Sequence, residues 1–194
     1  ASDVYKRQGF VYGDMTSVAV SEDGSKLAVA IQAENYADTG RVALFTCNAD
    51  GTLTFDKVYE TGVQPDMVTF ASNDSKILTA DEGEPRDGYG DGIIDPKGTV
   101  TIINLADQTV SQVDFTSYDN SDSREQLVES GVILKKNTNP SVDFEPEYIA
   151  VGDKTAYVTL QEANAIAVID LNQQSLTGVY SAGYEDYSTC AVDI

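Results

Sequence analysis

The oxygen-rich stretch Asp81-Glu82-Gly83-Glu84-Pro85-Arg86-Asp87-Gly88-Tyr89-Gly90-Asp91-Gly92-Ile93-Ile94-Asp95-Pro96-Lys97-Gly98 holds the most chemically suggestive residues of the chain. Hard cations such as calcium take about six to eight oxygens from carboxylates and carbonyls on a pliable loop. Asp87, Asp91 and Asp95, separated by glycine-rich spacers, are the candidate calcium ligands. The pattern departs from an EF-hand loop, because Tyr89 stands where an oxygen ligand belongs and no glutamate closes the loop. The competing reading is a solvated loop whose glycines serve turns and whose Arg86 and Lys97 pair locally with acids. Paired carboxylates can also serve as general acid and base, as in glycoside hydrolysis, when their separation suits it.

Composition narrows the chemistry further. The chain has 194 residues, with 32 Asp and Glu against 12 Lys and Arg, a formal charge of −20. Such a surface repels phosphate backbones and anionic membrane, which argues against nucleic acid as a partner. It suits divalent cations, basic partners or simple solubility. There is no histidine, so a Ser-His-Asp triad and His-liganded zinc are excluded. No G-x-S-x-G elbow is present to hold a nucleophilic serine. Cys47 and Cys190 are too few and too far apart for a disulfide scaffold or a CxxC site. No run of about 18 apolar residues exists to span a bilayer, and no signal peptide pattern is visible. Residues 1–8 are expected to be a non-native, unstructured leader, and residues 9–194 a fragment of one domain.

The elements that position those acids repeat at a step of fifty residues. Val18-Ala19-Val20 falls on Val68-Thr69-Phe70, and Ser25-Lys26-Leu27-Ala28-Val29-Ala30 on Ser75-Lys76-Ile77-Leu78-Thr79-Ala80. A third copy runs through Tyr148-Ile149-Ala150-Val151 and Ala156-Tyr157-Val158-Thr159-Leu160. Each copy adds a further strand: Arg41–Phe45, Thr99–Ile103 and Ala165–Ile169. Turn chemistry separates them, as at Glu22-Asp23-Gly24-Ser25 and Ser72-Asn73-Asp74-Ser75. Asn48-Ala49-Asp50-Gly51 leads into a fourth strand, Thr52-Leu53-Thr54-Phe55. Four short strands per repeat predict an all-β fold, a partial β-propeller of about three four-stranded antiparallel blades. A two-sheet sandwich is the rival, but it does not explain why whole four-strand units resemble one another.

The expected blades cover residues 14–62, 63–118 and 144–182, with a further blade starting at 183–194. An insertion, 119–143, carries a short helix in the crossover between the second and third blades. Ser123 and Gln126 read as its capping box and Gly131 as its C-terminal stop. Antiparallel order places the loops between second and third strands on the same end as the crossovers between blades. Acids crowd there, and Asp81, Glu82, Glu84, Arg86, Glu145, Glu147, Gln161, Glu162 and Asn164 are the candidate ligand-facing residues.

Four linked segments carry a family resemblance. Asp81-Glu82-Gly83-Glu84-Pro85, Asp95-Pro96-Lys97-Gly98-Thr99-Val100-Thr101-Ile102-Ile103, Asp143-Phe144-Glu145-Pro146-Glu147-Tyr148-Ile149-Ala150-Val151 and Ala156-Tyr157-Val158-Thr159-Leu160-Gln161-Glu162-Ala163-Asn164-Ala165 resemble the choice-of-anchor I family of bacterial surface proteins, also described as mesenchyme-specific cell surface glycoprotein-like. The likeness runs from about Met15 to Ser188. It implies an exported β-propeller, extracellular or at the cell surface, with more blades in the parent chain and no established catalytic residues. Where the family tends to show Lys-Asp-His-Ser, this chain has Glu185-Asp186-Tyr187-Ser188. The expectation is therefore a non-catalytic surface module that binds an extracellular protein or glycan through an acidic loop face. The alternative is a calcium-dependent hydrolase of phosphoesterase type using the same face.

Overall fold

The computed structural model describes residues 9–90 and 92–184. The expected leader, Asp91, Cys190 and the segment 185–194, with its departure from the family pattern, lie outside the described residues. Strands β1 (Tyr12–Val20), β2 (Lys26–Ala33), β3 (Thr39–Cys47) and β4 (Leu53–Val63) form blade I. Blade II contains β5 (Pro65–Ala71), β6 (Lys76–Asp81), β7 (Thr99–Asn104) and β8 (Val110–Val113). Blade III contains β9 (Pro146–Val151), β10 (Thr155–Leu160), β11 (Ala165–Asp170) and β12 (Ser175–Ser181). Each sheet is antiparallel throughout and keeps chain order.

The sheets stand side by side rather than face to face in one pair. Strand β5 packs against β1 and β2 on one side and β9 on the other, so the first strands of successive blades are neighbours. Strand alternation explains how one sheet serves two interfaces. Ile77 and Ile103 of blade II join Ala28, Ala30, Val42 and Leu44 of blade I in one core cluster. The intervening Leu78, Ala80, Val100 and Ile102 point the other way, into a larger cluster with Ala156, Val158 and Leu160 of blade III. Each fully buried branched side chain stabilises the stack by about 1.5–3 kcal/mol.

Turns follow the predicted chemistry. Ser72, Asn73 and Asp74 all have positive φ, 53°, 52° and 59°, which short polar side chains tolerate best. Strand β4 runs on to Val63, well beyond the predicted Thr52–Phe55. A bulge at Asp56 shifts its register between Leu44↔Lys57 and Phe45↔Phe55, which interrupts the alternation a sequence reading relies on. The bulged Asp56 accepts from Lys26 Nζ at 2.7 Å and Thr46 Oγ1 at 2.9 Å.

The insertion holds helix α1 (Ser121–Glu129) and the single-turn helix α2 (Pro140–Asp143). The predicted capping box at Ser123 is corrected: Asn120 is the N-cap, and its Oδ1 accepts from Ser123 N at 2.9 Å. Gly131 does follow the C-cap, with φ +99°. Val132 N donates to Leu127 O and Gly131 N to Val128 O, a Schellman closure.

Register places the crossovers and the long loops together. Thr39 pairs with Val63, Pro65 with Asp81, and Leu160 with Pro146. The connections between second and third strands therefore share one end of the arc with the crossovers. A glycine–proline contact draws successive blades together there. A Cβ on Gly40 would lie 2.2 Å from Pro65 Cδ, and one on Gly98 only 2.0 Å from Phe144 O and 2.6 Å from Pro146 Cδ. Among the described residues no helix is long and apolar enough to cross a membrane.

Candidate functional site

Six carboxylates gather where blades II and III meet at the loop end. Asp66 enters at the start of β5, and Glu82 and Glu84 directly follow β6. Glu145 precedes β9, Glu147 lies in it, and Glu162 occupies the β10–β11 turn. Local sequence explains the juxtaposition. Gln64-Pro65-Asp66 and Glu145-Pro146-Glu147 hold equivalent places, each proline opening the first strand of a blade.

Crowding shows in the titration of these groups. Burial, followed by the charges of Asp66, Glu84, Glu147 and Glu145, pushes Glu82 up from 4.5 to about 7. Burial also raises Glu147 to about 7, helped by the charge of Glu162 and a hydrogen bond shared with it, then by Asp66 and Glu145. Glu145, only 4% exposed, is raised by burial and by Glu162 and Glu84, against the pull of Lys135. These are three of the causes recognised for carboxylates that resist ionisation: low polarity, like charges and a hydrogen bond to the neutral form.

One lysine enters this field. Lys135, on the loop after α1, places Nζ 3.0 Å from Glu145 Oε1 and 3.3 Å from Asp143 Oδ1. It lies 4.4 Å from the centre of the Tyr89 ring, and its backbone N donates to Asp143 Oδ2 at 2.5 Å. Burial opposes its charge, but Tyr89 and the Glu145 and Asp143 carboxylates outweigh burial and hold it above the ordinary lysine range. Asp143 Oδ1 lacks a hydrogen bond of good geometry, and the 3.3 Å ion pair is what balances it. Lys135→Met is expected to destabilise the chain by about 2 kcal/mol, less than a fully buried pair because the lysine is one-third exposed. Urea unfolding at pH 7.5 checks this, and an unchanged midpoint would remove Lys135 from its role as counter-ion.

The predicted residues separate by location. Glu82, Glu84, Glu145, Glu147 and Glu162 join the cluster just described. Asp81 is fully buried inside blade II, where Thr79, Thr99 and Thr101 hydroxyls and Gly62 N donate to it. Arg86 reaches back to blade I, donating from Nη2 to Gln32 Oε1 at 2.7 Å. Gln161 is exposed, and Asn164, at φ +51°, donates to Gly183 O at 2.8 Å. Of the calcium candidates, Asp87 is exposed and Asp95 half-buried, and Asp91 lies outside the described residues. Asp87 and Asp95 both act on Tyr36, whose hydroxyl donates to Ile94 O at 3.2 Å. Asp95 Oδ1 is buried without a hydrogen-bond partner. Among the described residues no three His, Cys, Asp or Glu side chains are grouped to hold a metal ion.

Sequence reasoning missed Asp66 and Lys135. Asp66 was legible as the acid after proline, repeated at Glu147. Lys135 carries no such signal, since a folded insertion delivers it.

Comparison with known proteins agrees with this architecture. The family model described as the choice-of-anchor I domain matches residues 1–194. The beta-propeller domain of Myceliophteria thermophila Cps50 (Swd1) is similar over 86% of this chain and 42% of its own, at 11% identity and a TM-score of 0.50. Kuenenia stuttgartiensis hydrazine synthase is similar over 84% of this chain and 49% of its own, at 12% identity and a TM-score of 0.54. At such identities the likeness establishes the fold alone, a β-propeller arc. The chain spans less than half the length of these two structures. No curated protein sequence matches it.

Proposed function

Because the chain belongs to the choice-of-anchor I domain family, we propose that it is an exported, surface-tethered propeller segment whose acidic loop end binds a basic protein partner without catalysing a reaction. The observation that carries this reading is the uncompensated charge at the blade II–III junction. Six carboxylates share one field, and Lys135 is directed at only one of them, Glu145. A lysine- or arginine-rich segment docked there relieves that repulsion, which is worth most where water is partly excluded. Rigid strands on both sides hold the acids in place before binding, so little ordering cost falls on this partner.

An oligo-arginine peptide is the direct probe. Binding is expected at about 20 mM salt and to fade towards about 500 mM, as screening shortens the reach of exposed charge. Glu82→Gln with Glu147→Gln is expected to weaken binding about tenfold or more. Glu125→Gln with Glu129→Gln, which removes the same number of carboxyl groups from the exposed side of α1, is expected to leave it nearly unchanged. Equal loss in both double variants would reduce the interaction to net charge and end the proposal. A neutral oligosaccharide that binds while the peptide does not would make the partner a glycan.

A second reading has one observation in its favour. Glu82 and Glu147, held at about 7, are poised for proton transfer at neutral pH. Turnover of p-nitrophenyl phosphate that requires calcium and disappears in Glu147→Gln would install the hydrolase reading instead.

A further inference from the structure

Granted the acidic-end reading above, on which this rests, we propose that Asp143, Glu145 and the Tyr89 ring form the seat for one cationic side chain of the basic partner. Lys135 fills that seat as a stand-in from the same chain, and the partner's lysine or arginine displaces it. Lys135 Nζ lies 3.0 Å from Glu145 Oε1 and 3.3 Å from Asp143 Oδ1, and both acids are only 4% exposed. Asp143 Oδ1 is buried without a hydrogen-bond partner, so only the cation in the seat answers it. The Tyr89 ring centre lies 4.4 Å from Nζ, well within the roughly 6 Å at which an aromatic face attracts an ammonium or guanidinium.

The two blade junctions differ in how this place is closed. Gln64 stands before Pro65 where Glu145 stands before Pro146. Gln64 is 1% exposed, and its Nε2 donates to the backbone oxygens of Tyr36 and Glu84 at 3.1 and 2.6 Å. A neutral amide thus closes the blade I–II junction. The blade II–III junction puts a carboxylate in the same place, and a buried carboxylate calls for a cation. That cation comes from the insertion, residues 119–143, whereas Gln64 alone separates β4 from β5. The pairing is therefore additional to the blades, and a cation from elsewhere takes it over without dismantling them.

Displacement needs only a turn of the lysine stem. Lys135 N donates to Asp143 Oδ2, and Lys135 O accepts from Arg124 Nη2 at 2.8 Å, so the backbone stays in place. The side chain is 34% exposed and has a path to water. The acids stay as well. Glu145 adjoins Pro146 at the start of β9, and Asp143 ends α2, where Asp119 Oδ1 and Oδ2 accept from Ser141 N and Oγ at 2.9 and 2.8 Å. A lysine on the same chain is always at hand, so a partner meets only the fraction of molecules whose seat is vacant. A lone amine competes poorly against it. A segment with several cations, already drawn by Glu82 and Glu147, competes at a far higher effective concentration. The stand-in thus selects extended basic segments over single cations.

Lysine acetylation at low reagent concentration, read by peptide mass mapping, tests this on the unaltered chain. Lys154, exposed in the β9–β10 turn at the opposite end of blade III, is the reference. In the free protein Lys135 is expected to react about tenfold or more slowly than Lys154, because two carboxylates hold its ammonium. An N-acetylated oligo-arginine peptide, which has no amine of its own, is expected to bring Lys135 to about the rate of Lys154. Lys135→Met is expected to bind that peptide about tenfold more tightly than the parent chain does. Lys154→Met, which removes a lysine from the far end, should stay within about twofold of the parent. A peptide that binds while Lys135 stays protected, or methionine variants that tighten binding equally, would overturn the proposal. Lys135 would then be a structural counter-ion, and the acidic-end reading would stand. A peptide that binds neither the parent nor Lys135→Met would sink the acidic-end reading, and this proposal with it.

Discussion

Asp81→Ala is expected to destabilise the chain by about 3–5 kcal/mol, because several buried donors lose their acceptor at about 1–3 kcal/mol each, offset in part by the removal of a buried carboxylate. For a chain of this length that lowers the melting midpoint by roughly 10 °C or more. The reason lies in four donors that converge on one buried carboxylate. Thr79 Oγ1 donates to Oδ1 at 2.7 Å, while Thr101 Oγ1, Thr99 Oγ1 and Gly62 N donate to Oδ2 at 2.6, 3.0 and 3.1 Å. Gly62 belongs to the last strand of blade I, so the carboxylate ties two blades together. Alanine strands these donors inside the sheet and leaves a void, and both effects cost free energy. Asp81→Asn keeps the volume and one acceptor but turns a second donor towards the threonines, so it is expected to lose less. Thermal unfolding followed by circular dichroism checks both variants. An alanine variant that melts within about 2 °C of the parent would show that the network contributes little.

How far these features could be read from the residues depends on whether a physical pattern is local. The blade repeat was legible because each strand serves two interfaces, and alternate apolar residues record that duty in every copy, as in Ile77 and Leu78. The gathering of loops at one end followed from antiparallel order alone. The full length of β4 is hidden in the sequence because the bulge at Asp56 shifts the alternation by one residue. In the sequence Asp81 reads as a surface acid, since a carboxylate beside Glu82 and Glu84 looks solvated. Its burial is recorded elsewhere, in the cross-strand pairs Thr79↔Thr101 and Asp81↔Thr99, which place three hydroxyls around it. Lys135 was illegible for a different reason: a helix and a turn with no repeat partner set its position, and only tertiary packing brings it to Glu145.

The same burial that makes Asp81 structural makes the protein most stable in mild acid. Burial outweighs the hydroxyl donors and raises Asp81 from 3.8 to about 6, and Glu82 and Glu147 rise from 4.5 to about 7. A carboxyl whose folded value exceeds its unfolded one binds its proton more tightly in the folded state. Its contribution is fully present below about pH 4 and is lost as pH climbs through 6 to 7. The Asp81 shift alone corresponds to about 3 kcal/mol between those limits. The glutamates add less, because water reaches and screens them. Five other carboxylates oppose this only at lower pH. Asp23, Asp50, Asp107 and Asp114 are held below 3.8 chiefly by serine or threonine donors in their turns. For Asp56, burial pushes upward, but Lys26 and Thr46 prevail and hold it below 3.8. Their contribution fails only below about pH 4. The melting midpoint is therefore expected to rise by roughly 5–10 °C from pH 8 to pH 5 and to fall again below pH 4. In Asp81→Asn with Glu82→Gln and Glu147→Gln the rise should shrink to a small residue, since the three groups with the largest upward shifts are gone. A midpoint that falls steadily from pH 8 to pH 5 would mean that these carboxylates are ionised at no cost. The crowding on which cationic recognition at the blade II–III junction depends would then be absent.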